Sequence, residues 1–208
     1  MIAIGIDIGG TSTKVGFVNE EGKILHKFRY APTSKVSQET YITELALMVN
    51  MHVDENFDRK DICGVGIGCA GAINSDTGYC EYSTNLAWYD LPIVNIIEKV
   101  TGCKAKIAND ANVACLGEAV FGAGKSLHNI VLITLGTGFG GGLYLNDQLY
   151  YGQEGKGAEL GHAKLVLNGR PCTCGAKGCV EAYCSCTALI NDTKDAMKAD
   201  TKSKIWEI

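Results

Sequence analysis

Nothing in this chain restricts its fold more than a pattern that occurs twice: a strand, a glycine turn, a second strand, a tight turn and a third strand. Residues 2–8 read as a buried strand, Gly9-Gly10-Thr11 as the turn, 14–18 as a strand, Asn19-Glu20-Glu21-Gly22 as a hairpin turn and 24–30 as a strand. The same order returns with a strand at 130–135, a glycine-rich turn from Gly136 to Gly142, a strand at 143–145, a turn at Asn146-Asp147 and a strand at 149–151. Two such units predict a duplicated α/β architecture with a cleft between the halves. Between them the periodicity predicts helices at 38–50, 91–100 and 111–121 and strands at 64–67 and 104–108. The domain boundary is expected near Asn109, dividing the chain into 1–108 and 109–208.

Composition narrows the partners. Of 208 residues 46% are hydrophobic, enough for a real core, and the net charge of −4 comes with no cluster of Lys and Arg. Nucleic acid and anionic membranes are therefore poor partners, and a small or neutral ligand fits better. The opening segment lacks a basic leader and meets Asp7 within one strand length, so it is not expected to be a signal peptide, and no other segment is expected to span a membrane. Ten cysteines in a chain of this size without a secretion signal point to metal binding and reduced thiols, and to the cytoplasm.

Both glycine turns follow strands, where glycine lets backbone N–H groups wrap phosphate oxygens with no Cβ in the way. Asp7 ends the first strand and supplies the carboxylate that a hard Mg²⁺ ion prefers beside phosphates. A nucleotide between the two turns is the expectation. Gly122-Ala123-Gly124-Lys125-Ser126 imitates the end of a Walker A loop, but it follows a helix where a strand is required and is read as a surface turn.

His162 with Cys172, Cys174 and Cys179 forms a Cys₃His set, and Gly175 and Gly178 allow the tight turns that bring Cys179 back to the first two cysteines. Such a set fills the tetrahedral shell of Zn²⁺ and leaves no position for water, so the expected site holds structure and does not hydrolyse. Cys184 and Cys186 form a second Cys-x-Cys without a nearby histidine and are read as core or surface thiols.

Asn109-Asp110-Ala111-Asn112 lies between a strand and the following helix, where α/β sheets place ligand-contacting residues. Two readings of Asp110 stand side by side. It caps the helix by accepting from free backbone N–H groups, or it faces the cleft as an ionised base that takes the proton of a sugar hydroxyl attacking a γ-phosphate.

Together Asp7-Ile8-Gly9-Gly10-Thr11, Asn109-Asp110-Ala111-Asn112, Leu135-Gly136-Thr137-Gly138, Glu159-Leu160-Gly161-His162 and the Cys172/Cys174/Cys179 cluster with Glu181 closely resemble the ROK family of sugar kinases and repressors, its bacterial glucokinases in particular. The resemblance implies an actin-like ATPase fold of two α/β domains, the second incomplete here, with ATP and Mg²⁺ in the cleft and transfer of the γ-phosphoryl group to a hexose. It makes Asp110 the general base and puts Asn109, Asp110, Glu159, His162 and Glu181 on the sugar, with Gly71, Thr84 and Asn85 beside them. Asp7, Gly9, Gly10, Thr11, Lys14, Gly136, Thr137 and Gly138 fall to the nucleotide. His162 would hold zinc through one nitrogen and the sugar through the other, and a homodimer or larger assembly is implied.

The chain departs from the family pattern in two places. Alanine stands at position 70 where the family commonly has proline, and family members usually continue past position 208. A truncated chain that binds ATP weakly is therefore expected. The helix-turn-helix of a repressor would have to precede the first strand, which begins at Ile2. A glucokinase is the leading expectation. Kinases for N-acetylmannosamine, N-acetylglucosamine, fructose or allose, a polyphosphate donor, and a sugar-binding module without activity all stay open.

Overall fold

In the strand β1 (Ile2–Ile8) Ile4, Ile6 and Ile8 are buried, and the residues between them face the opposite side of a sheet. The computed structural model describes residues 1–10, 12–31, 35–155, 157–200 and 202–207. β1 pairs antiparallel with β2 (Thr13–Asn19), which pairs antiparallel with β3 (Ile24–Tyr30). Helix α1 (Gln38–Asn56) follows, its first turn capped by the Ser37 hydroxyl, which accepts from the Thr40 N–H at 3.2 Å. Ile42, Leu45, Ala46, Val49 and Val53 recur at helical spacing and bury one face of it. The helix runs past the expected residue 50 because Val53 continues the apolar stripe.

β4 (Ile62–Cys69) lies parallel to β1. After it come three short strands, β5 (Ala72–Asn74), β6 (Tyr79–Ser83) and β7 (Trp88–Leu91), which form their own antiparallel sheet. Helix α2 (Ile93–Thr101) leads to β8 (Ala105–Asn109), which completes a five-stranded sheet of order β3-β2-β1-β4-β8. The core lies between this sheet, α1 and α2, with Phe17, Ile67, Ile93 and Ile97 fully enclosed.

Helix α3 (Asp110–Val120) contacts β4 and β8 of the first sheet and also β9 (Asn129–Leu135) and β10 (Phe139–Leu145) of a second. That second sheet has the order β11-β10-β9, with β11 at Gln148–Leu149, and so repeats the three-stranded antiparallel meander of β1 to β3. One expectation is corrected here: Gly140, Gly141 and Gly142 belong to β10 and not to a turn. A Cβ on Gly140 would lie 3.1 Å from the Ala111 Cβ, and one on Gly142 would lie 2.9 Å from the Ala111 carbonyl, so these glycines let the strand press against α3. The turn itself shortens to residues 136–138.

Among the described residues β9 pairs with β10 alone, and Val131, Ile133 and Leu135 stand out from it at 61%, 53% and 62% exposure. The cysteine loop leads into α4 (Glu181–Cys184) and α5 (Cys186–Ala199). No described helix is long and apolar enough to cross a membrane.

Candidate active site

The β8–α3 junction organises the site. Asn109 caps α3, its Oδ1 accepting from the Ala111 and Asn112 N–H groups at 3.0 and 3.4 Å, while its Nδ2 donates to the Gly71 carbonyl at 3.2 Å. Asp110 is the first helical residue, and its Oδ1 accepts from the Ala111 N–H at 2.9 Å. The capping reading of Asp110 thus passes to its neighbour. Gly71 adopts a φ of 128° that disfavours any side chain, and a Cβ there would meet the Tyr82 carbonyl at 2.5 Å.

Asp110 is open to solvent yet surrounded by protein, and partial desolvation raises its carboxyl above the ordinary aspartate value. The Ala111 N–H works against this rise and the charge of Asp7 adds to it. The hydrogen bond from the first turn of the helix opposes the rise without cancelling it. Glu159, just before the 3₁₀ turn Leu160–His162, is raised in the same way by desolvation, then lowered by His162 and raised by Asp110 and Glu181. Asp110 thus lies within electrostatic reach of Asp7 and Glu159, and Glu159 within reach of His162 and Glu181.

Glu181 is committed on both sides. Its Oε2 accepts from the Phe139 N–H at 2.9 Å and its Oε1 from the Thr173 hydroxyl at 3.1 Å. Gly161, of the Glu159-Leu160-Gly161-His162 motif, is buried with its Cα hydrogen against the Phe139 carbonyl, so no side chain fits there.

One Nδ1 or Nε2 atom of His162 and the sulfurs of Cys172, Cys174 and Cys179 all lie within 4.8 Å of one another. The Cys172 sulfur is 3.7 Å from His162 Nδ1, and the Cys174 and Cys179 sulfurs are 3.8 Å apart. A tetrahedron with Zn–S arms of roughly 2.3 Å has edges of about 3.8 Å, so these residues fit zinc. Backbone bonds shape the loop beforehand, with the Cys172 N–H donating to the Ala176 carbonyl at 2.8 Å and the Gly175 N–H to the Cys172 carbonyl at 3.0 Å. Three thiolates and a neutral imidazole leave such a centre with one net negative charge. The Lys164 ammonium stands 3.1 Å from the Cys179 sulfur to meet it and pulls that thiol down to about 7. Cys184 and Cys186 are exposed thiols outside this cluster.

The first glycine turn leans on the loop after β6: Gly10 packs against Asn85, while the Thr84 hydroxyl hydrogen bonds to that of Tyr82 at 2.7 Å. Lys14 points to Asp7 and not to a separate phosphate position, with 3.0 Å between Nζ and Oδ2. Thr11 lies outside the described residues. In the second turn Gly136 and Thr137 are gripped from α5, whose Cys186 N–H donates to the Gly136 carbonyl at 2.9 Å and whose Thr187 hydroxyl donates to the Thr137 carbonyl at 2.7 Å, while Gly138 faces Glu181 of α4. Lys164, Thr173 and Thr187 were not singled out from the sequence, where a lone lysine or threonine in a loop carries no periodic or motif signal. The Walker-like segment is a surface turn, as expected.

The ROK family model matches residues 3–208. A glucokinase of Thermotoga maritima is 38% identical over 206 residues, which cover 99% of this chain and 64% of that protein. An N-acetyl-D-glucosamine kinase of Haemophilus influenzae is 33% identical over 87% of this chain and 62% of its own length. The crystal structure of a ROK family glucokinase from Streptomyces griseus, in complex with glucose and AMPPNP, superposes with a TM-score of 0.83 at 36% identity, covering 97% of this chain and 63% of that one. The chain thus spans less than two thirds of the length of the curated relatives it matches. The mixed α/β architecture is that of the ROK sugar kinases, the actin-like ATPase fold. A model matched over nearly every residue, and a site whose motifs fold into one neighbourhood, establish that this chain belongs to the ROK family.

Proposed function

We propose that this chain carries the sugar-binding, base and phosphate-turn machinery of an ATP-dependent hexokinase, with glucose as the acceptor. One observation carries the reading: Asp110 stands at the carboxyl end of β8 within electrostatic reach of Asp7, Glu159 and, through Glu159, of His162 and Glu181. Asp110 takes the proton of a hexose hydroxyl while that oxygen bonds to the γ-phosphorus and the bond to the departing ADP oxygen breaks. A carboxylate raised by its surroundings is a stronger base than a free one, which suits the role. Glu159 and His162 accept from and donate to the other hydroxyls, and the oxygens of Glu181 keep spare lone pairs for the same purpose.

Asp7 would hold Mg²⁺, which when bound neutralises phosphate charge, and Lys14 at 3.0 Å already shows that this carboxylate attracts a cation. The Cys₃His cluster would hold zinc and so fix the ring of His162, with Nδ1 toward the metal and Nε2 left for the sugar. The likeness to both a glucokinase and an N-acetyl-D-glucosamine kinase makes the acceptor hexose the open variable. Measuring ADP release from MgATP with glucose, fructose and N-acetylhexosamines tests the reading. Turnover on glucose above the others is expected, and sugar binding without turnover on any of them would reduce the chain to a binding module.

A further inference from the structure

The second glycine turn hangs from the cysteine loop. At its exit the Phe139 N–H is held by one oxygen of Glu181, whose other oxygen holds the Thr173 hydroxyl inside the loop, at 2.9 and 3.1 Å. Glu181 follows the cluster residue Cys179 by two residues, and Thr173, which it holds, lies between the cluster residues Cys172 and Cys174. At the entrance Cys186 and Thr187, at the start of α5, hold the Gly136 and Thr137 carbonyls. The fit is close, since a Cβ on Gly138 would lie 2.5 Å from Glu181 Oε2.

We propose that Glu181 and Thr173 are positioning residues that make the shape of the 136–138 turn depend on closure of the Cys₃His cluster around its metal, while Thr187 holds the entrance of the same turn from α5. Metal loading then governs the phosphate side of the cleft as well as His162. This rests on the reading of that turn as a phosphate cradle, and the test separates the two.

Backbone hydrogen exchange of the chain, read at Phe139 with β1 as internal reference, is compared for the zinc-loaded, zinc-stripped, Thr173→Val and Thr187→Val forms. Stripping should speed exchange at Phe139 by about tenfold or more without changing β1, and Thr173→Val should speed it severalfold with zinc still bound. Exchange at Phe139 unchanged in zinc-loaded Thr173→Val overturns the coupling, even if stripping unfolds the chain. Titration with MgADP and with glucose supplies the second readout. Thr187→Val should weaken MgADP binding severalfold and leave glucose binding unchanged, and Thr187→Ser should restore the wild-type value. Faster exchange with unchanged MgADP affinity would leave the coupling standing and overturn the phosphate reading; equal loss of both ligands, unrescued by serine, would reduce Thr187 to a folding role and overturn its part.

Discussion

The side-chain amide of Asn109 ties its own helix to the Gly71 turn, donating to the Gly71 carbonyl at 3.2 Å while its oxygen accepts from the Ala111 N–H at 3.0 Å. Asn109→Ala removes a helix cap and the tether together and should cost about 1–2 kcal/mol of stability in denaturant unfolding. Asn109→Asp keeps the cap but sets an acceptor against a carbonyl, so it should fall between wild type and alanine. Equal unfolding midpoints for all three would mean that the junction holds nothing together.

Asp110→Asn keeps the shape of the side chain and removes the proposed base. Phosphoryl transfer should fall by roughly 10²–10⁴-fold with sugar affinity retained. In the wild type the rate should fall on the acid side with a midpoint above the ordinary aspartate value of about 3.9, because the carboxyl is raised and must be ionised to act. An active asparagine variant removes Asp110 from the chemistry.

The same shift has a stability consequence. A carboxyl whose folded pKa lies above its unfolded one binds its proton more tightly when folded, so ionising it as pH rises through the folded value lowers stability. Asp110 and Glu159 both carry this direction of shift. Asp110→Asn and Glu159→Gln should therefore raise the melting temperature at pH 7 relative to wild type, with the difference shrinking at low pH where the wild-type groups are protonated. A lower melting temperature for both variants at pH 7 would contradict it.

Zinc analysis should give one equivalent per chain, none for Cys174→Ser, and one for Cys184→Ser with Cys186→Ser, since those two thiols lie outside the cluster. Losing the metal should also weaken sugar binding through His162. Sugar affinity indifferent to zinc would show the cluster to be remote from the substrate.

Val131, Ile133 and Leu135 present apolar side chains along a strand whose second edge has no described partner, a template for another strand. Sedimentation should find this chain associating, and Ile133→Lys should raise the monomer fraction. An unchanged distribution would place the contact elsewhere.

Much of this was legible beforehand because it rests on local periodicity. The alternation of Ile4, Ile6 and Ile8 and the 3–4 spacing from Ile42 to Val53 are properties of one element each. The Cys₃His set was legible because ligand chemistry restricts residue type, whereas β5 to β7 escaped because strands of three to five residues show too little alternation. The glycines at 140–142 misled for a different reason: composition alone cannot separate a glycine that turns from one that admits a neighbour, and Ala111, which decides it for Gly140 and Gly142, lies 29 and 31 positions away in sequence. The partners of Glu181 were hidden likewise, since Phe139 contributes a backbone N–H that no motif encodes.

Because α3 is packed at once on strands of the five-stranded sheet and of the β11-β10-β9 sheet, it is the axle between them. A swing of one sheet against the other would turn about this helix and displace most the parts farthest from it. Asp110 is the first residue of this axle, so such a swing would move the proposed base less than groups carried on the outer strands of either sheet.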